Sequence, residues 1–169
     1  RIYNAFIDPS QIGQISKIGE ENTSEENGIE IIVPVRNDDH TEFEEKAHVL
    51  FRHFPVKPTV KGADSRKFEY ENPNVIFSGD NWKWIEVKDQ RNYRSNSDGA
   101  IVVMGNIGYP VDEYALNLSH EDGLAPLLKE NLIMNVPIGD LEISASREKL
   151  QYTDYTRQNS VRHLKAVKD

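Results

Sequence analysis

Four neighbouring residues in the stretch "LEISASREKLQYT" have side chains that could act together. Ser146, Arg147, Glu148 and Lys149 offer a hydroxyl, a guanidinium, a carboxylate and an ammonium just where an apolar, strand-like run stops. Arginine carries a fixed charge and a planar fork of donors, which suits an oxygen-rich anion such as a terminal phosphate. A place past a strand end and before a helix holds that side chain on rigid support, and a helix start adds a favourable dipole for the same anion. A second reading is purely local. Arg147 pairs with a carboxylate, Glu148 or Asp140, and fixes the turn. The residue types alone leave both readings open.

Other constellations carry less. Ser146 and Lys149 have the Ser-x-x-Lys spacing of penicillin-recognising acyl enzymes, in which a lysine takes the nucleophile's proton, but neither companion motif of that class is present. Gly105 and Gly108 in "GNIGYP" lack the further glycine and the Lys-Ser/Thr of a phosphate loop and read as turn glycines. His40, His48, His53, His120 and His163 show no metal-ligand spacing, so no metal site is expected. The absence of cysteine removes thiolate ligands, cysteine nucleophiles and disulfides together. Asn22-Thr-Ser24 and Asn117-Leu-Ser119 are glycosylation sequons by spelling only.

The scaffold that must position these residues has an ordinary globular composition, with 37% hydrophobic and 28% charged residues over 169 positions, enough for one sizeable domain or two small ones. Net charge is −8, which argues against a broad attraction to nucleic acid or anionic lipid. Acidic residues gather in "EENTSEEN" and "DDHTEFEE", whereas the tail "RQNSVRHLKAVKD" is basic; such asymmetry reads first as a solvated face. No run approaches a membrane span or a secretory leader, so a cytoplasmic protein is expected, with peripheral membrane association left open. Arg1 opens directly onto "IYNAFID" without a methionine, which reads as an internal fragment of a larger protein.

Strand-like patterns occur in "RIYNAFID", "QIGQISKIG", "GIEIIVPV" and "KPTVKG". In "DDHTEFEEKAHVLFRHFP", Phe43, Ala47, Leu50, Phe51 and Phe54 share a helical stripe, Thr41 and Glu44 form a capping-box pattern, and Pro55 supplies a stop. A boundary is expected near Pro55 to Pro58. Beyond it, "NVIFSG" and "WKWIEVKD" predict a hairpin around Gly79-Asp80-Asn81, "QRNYRSNSDG" a polar loop, and "AIVVMGNIG" a covered central strand. "PVDEYALNLS" and "GLAPLLKEN" predict short helices. "NLIMNVPIGDLEIS" predicts a strand or strand pair, and a last helix carries Val161, Leu164 and Val167. The order predicts an α+β fold with mixed sheets and packed helices.

The segment "DLEISASREKLQ" resembles the stretch of the Hsp90 middle domain in which a strand is followed by Ser-Arg-Glu, an apolar residue or two, and Gln. In that family the arginine reaches the terminal phosphate of ATP held by another domain; carried over, the role falls on Arg147, with Ser146 and Glu148 shaping the turn. The ordered blocks "GIEIIVPV", an acidic linker, "LFRHFPVKP" and "NVPIGDLEISASREKLQYT" resemble bacteriophage rIIA-like proteins, whose N-terminal half belongs to the gyrase, Hsp90, histidine-kinase and MutL ATPase superfamily.

That resemblance implies that residues 1–55 are the last strands and helix of a Bergerat-type ATPase domain and that 56–169 form a transducer-like α/β sandwich domain. Gly28 matches the superfamily's Gly-Thr strand at the nucleotide, but Ile29 stands where the adenine-supporting threonine belongs, so the site is altered or the match slips there. Lys149 can stand for the transducer lysine, and Lys57 is an equal candidate. ATP and magnesium would be bound by the full-length protein, with adenine and magnesium motifs upstream, and the fragment alone is expected to be catalytically silent. The implied partner is a protein, a phage co-factor or a second copy of the chain, and the implied outcome is modulation of host lysis or of phage exclusion. The alternative is a non-enzymatic interaction module on a degenerate ATPase scaffold.

Overall fold

A computed structural model describes residues 1–63, 65–70, 72–86, 99–118 and 123–168. Its internal contacts divide it into Arg1–Val35 and Arg36–Asp169. The division falls some twenty residues before the boundary expected near Pro55 to Pro58, and the first helix goes with the second unit.

In the first unit, β1 (Ile2–Ile7) and β2 (Gly13–Gly19) pair antiparallel, as the alternation predicts. The Asp8 carboxylate accepts hydrogen bonds from the backbone N–H groups of Ser10 (2.8 Å) and Ile12 (3.1 Å) and from the Gln14 amide (3.1 Å). These bonds, that of Ile12 foremost, hold its pKa below the ordinary carboxylate range. The strand expected at "GIEIIVPV" does not form. Residues 28–35 belong to no strand, and Ile29 is 91% exposed. A strand needs an edge to pair with, and within this unit only β1 and β2 pair. Pro34 also lacks a donor.

The second unit is built on a five-stranded sheet ordered β3-β4-β7-β5-β6, comprising β3 (Asn74–Ser78), β4 (Trp82–Glu86), β5 (Ile101–Met104), β6 (Ile107–Pro110) and β7 (Leu132–Val136). β5 and β7 run parallel; the other neighbours are antiparallel. The expected hairpin around Gly79 to Asn81 is β3–β4. The single strand expected over "AIVVMGNIG" is instead a tight hairpin, because Gly105, at φ +66°, turns the chain between β5 and β6.

Side chains alternate across this sheet as a period of two requires. Val102, Met104, Leu132, Met134 and Val136 face the main core, where Leu116, Leu124, Leu128 and Leu164 cover them. Ile85, Val103 and Ile133 form a smaller cluster. The helix α1 (His40–Phe51) lies before the sheet in sequence, and beyond its end the His53 ring packs so tightly on Gly108 of β6 that a Cβ there would stand 2.5 Å from it. The expected capping box at Thr41 and Glu44 is not made: the helix starts at His40 without a side-chain cap, and Glu44 pairs with Lys67 at 2.6 Å. Of its predicted stripe, Phe43 and Leu50 are exposed while Ala47, Phe51 and Phe54 are half-buried. No strand forms at "KPTVKG". "PVDEYALNLS" gives one turn, α2 (Glu113–Leu116), capped by the Asp112 side chain, and "GLAPLLKEN" gives a 3-10 turn over Ala125–Lys129. The loop expected at "QRNYRSNSDG" lies outside the described residues except for Gly99.

The last helix, α3 (Asp154–Lys168), begins where the Thr153 hydroxyl accepts from the Thr156 N–H at 3.3 Å, and it carries Lys165 and Lys168 in its last turn, complementing the helix dipole. Its inner face is Thr156, Ser160 and Leu164, one turn apart, with Val161 and Val167 flanking. Among the described residues no helix is long and apolar enough to cross a membrane. Leu164 is fully buried in the main core, so Leu164→Ala is expected to cost about 2–5 kcal/mol in chemical denaturation, from lost transfer energy and the cavity left behind.

Candidate functional site

The residues picked out by chemistry stand on a closed loop. Ile143 and Leu150 bridge antiparallel, the Ser144 N–H donates to the Lys149 carbonyl at 2.9 Å, and the Gln151 N–H donates to the Glu142 carbonyl at 2.8 Å. Within it the Arg147 N–H donates to the Ser144 carbonyl at 2.8 Å. Arg147 has φ +60°, the left-handed region that a side-chain-bearing residue enters at a cost. Its side chain is exposed and, among the described residues, makes no hydrogen bond or ion pair. The local pairing with Glu148 or Asp140 is therefore not made.

Asp140 is occupied elsewhere. Its carboxylate accepts from Arg162 at 2.8 Å and contacts His163 Nε2 at 2.9 Å, both on α3. Three further contacts dock the same stem on that helix. The Asn159 amide donates to the Asp140 carbonyl at 2.9 Å, the Glu142 N–H donates to the Thr156 hydroxyl at 3.0 Å, and the Tyr155 hydroxyl donates to the Gly139 carbonyl at 3.2 Å. The Thr153 hydroxyl bonds the Glu142 carboxylate. A loop with exposed charge at its tip thus has its first stem fastened to a helix whose inner face is buried.

Ser146 and Lys149 do not form a nucleophile and base. The Ser146 hydroxyl meets Ser144 Oγ at 3.0 Å, and the Lys149 ammonium makes no hydrogen bond among the described residues. Lys57, the other lysine candidate, is engaged: its ammonium donates to the carbonyls of Phe51 (3.1 Å), Arg52 (2.6 Å) and Phe54 (2.9 Å) and lies 4.8 Å from the centre of the Tyr70 ring. It closes the C-terminal end of α1, where orphan carbonyls need donors. Gly28 and Ile29 belong to the first unit, Arg147 and Lys149 to the second. Around Gly28 and Ile29 the chain is open: a Cβ on Gly28 would meet nothing within 4 Å. Ile29 is likewise exposed. Among the described residues no three His, Asp or Glu side chains stand together as a metal site.

Sequence reasoning passed over the end of α1. His48 stacks on Tyr70, with ring centres 5.1 Å apart, and its carbonyl accepts from the Tyr70 hydroxyl at 2.6 Å. His53 lines a cleft of about 20 Å³, room for one water, with Arg52, Ile101 and Asn131. Burial first, then the charges of Arg52, Lys57 and Lys83, lower the His53 pKa from the usual 6.5 to about 4. The only sequence signal was "RHFPVKP" itself, basic residues beside a histidine at a helix stop.

Comparison of the chain with family profiles, with curated proteins and with solved structures finds no match. The family resemblance therefore rests on sequence motifs alone.

The His53 shift has a consequence for stability. The folded state keeps this ring neutral down to about pH 4 while the unfolded chain protonates it near 6.5, so unfolding takes up a proton within that window. Stability should fall as pH drops from 6.5 to about 4, and His53→Gln should flatten that part of the profile relative to the parent chain in denaturation measured at stepped pH.

Proposed function

We propose that Arg36–Asp169 is a transducer-like module of an ATPase-family protein and that its Ser144–Lys149 loop presents Arg147 to the terminal phosphate of ATP held by another part of the full-length protein. The observation that carries this reading is a guanidinium without a carboxylate partner among the described residues, at the tip of a hydrogen-bonded loop, on a backbone of φ +60°. Strained backbone of this kind persists where its surroundings over-determine it and is concentrated at functional sites.

In this arrangement no ion pair has to be broken before Arg147 meets an anion, because Asp140 is held by Arg162 and His163. A pre-placed cation stabilises charge developing on a transferred phosphoryl group without paying to reorient water. Lys149, on the same loop, adds positive charge beside it. Bound ATP with magnesium would supply the phosphoryl group; what this chain contributes is the guanidinium, its height on the loop and its coupling to α3. The resemblance to phage rIIA-like proteins makes control of host lysis or phage exclusion the biological setting of that coupling.

A second reading, a non-enzymatic interaction module on a degenerate ATPase scaffold, draws on Ile29, an exposed isoleucine where the superfamily places its threonine. Micromolar ATP binding by the intact protein in calorimetry would count against it.

Arg147→Gly separates function from stability. Glycine relieves a left-handed residue costing roughly 1–2 kcal/mol, so the variant should melt at the parent temperature or slightly above it. ATP turnover by the full-length protein should meanwhile fall by about 10³-fold or more, as loss of such an arginine does elsewhere. Turnover at the parent rate would end this assignment.

A further inference from the structure

The loop's hydrogen bonds to α3 are more than packing requires. The Thr156 side chain is 0% exposed, and its hydroxyl oxygen accepts from the Glu142 N–H, two residues before the loop begins. Threonine at a fully buried helical position is costly unless its oxygen is used, since valine would fill the same shape without a polar atom to satisfy. Here the oxygen fixes the backbone of Glu142, whose carbonyl in turn accepts from the Gln151 N–H on the loop's far side. Thr156 therefore ties down the first stem directly and the second through one hydrogen bond. Asp140, two residues before Glu142 in the chain, is held by Arg162 and His163 further along the same helix.

We propose that Thr156 and Asp140 are positioning residues that make α3 the mount of the Arg147 loop, so that the place of the backbone from which the guanidinium projects is set by this helix. The inference rests on the reading of Arg147 given above. Neither side chain touches the anion; both act through the backbone of residues 139–142. Because the stem before the loop is fastened to the helix at Gly139, Asp140 and Glu142, that stem cannot shift toward a phosphate without carrying α3 or breaking these bonds.

The test uses the full-length protein, with ATP and magnesium as the probe. Thr156→Val keeps the shape and removes the acceptor. It should lower kcat on the order of tenfold, because small misplacements of a pre-organised group are costly. KM for ATP should stay within about twofold, because the nucleotide is held elsewhere and Arg147 acts on the developing charge. Thr156→Ser, which restores the oxygen, should recover most of the rate; a merely structural role would give neither the kcat–KM split nor this rescue. Trypsin should also cut after Arg147 faster in Thr156→Val than in the parent. If Thr156→Val fails to fold, Asp140→Asn carries the same expectations from a partly solvated position. A folded Thr156→Val or Asp140→Asn with parental kcat, while Arg147→Gly has lost turnover, would overturn the mount and leave the role of Arg147 standing. Parental turnover in Arg147→Gly would overturn both.

Discussion

The second unit depends on the inner face of α3. Leu164 closes the main core from the helix side, and two turns earlier Thr156 puts a hydroxyl into the same buried face. Apolar burial holds the helix against the sheet and supplies most of the energy; the hydroxyl decides where the following backbone must run. The segment from Gly139 to Glu142 is then threaded along the helix by hydrogen bonds to its carbonyls, its N–H and a carboxylate. From that stem a six-residue loop stands open with a left-handed arginine at its tip. On the core side, Leu150 is buried in the main cluster and Ile143 packs against it, which holds the bridge between them.

The sheet supplies the complementary constraint. β7 lies at its centre, parallel to β5 and antiparallel to β4, and leads directly into the Pro137–Asp140 turn from which the loop departs. Side chains on both faces of β7 are buried, so its register cannot slip without exposing one set. The loop thus grows from the most constrained strand and returns to the most constrained helix. By contrast, the first unit has a single hairpin, and its large apolar side chains, Ile7, Ile15 and Ile18 among them, are exposed. Two strands alone have no second layer against which to bury them.

Much of the second unit was legible in sequence because its signals are local. Leu132, Met134 and Val136 alternate, and the β3–β4 turn and the stripe Val161, Leu164 and Val167 announced themselves by composition and spacing. The misreadings share a cause. "GIEIIVPV" has the alternation of a strand, but alternation describes a face and not a partner, and within its own unit no edge pairs with it. The run at "AIVVMGNIG" looked continuous because apolar residues flank Gly105 on both sides, although the glycine is what folds it back. Thr41 and Glu44 had the right spacing for a capping box, yet Glu44 found Lys67, twenty-three residues away, a partner that spacing cannot reveal.

By itself the sequence determined the α+β class, the last helix and the presence of a guanidinium, a hydroxyl and an ammonium within four residues of one another, because periodicity and residue chemistry are properties of short stretches. Whether Arg147 would pair with Asp140 or stand free was decided only in three dimensions. Asp140 lies seven residues before the arginine but faces Arg162 and His163 across the fold. A charge takes the partner that geometry brings within hydrogen-bond reach, and that geometry is set by how α3 packs on the sheet, information no local pattern contains.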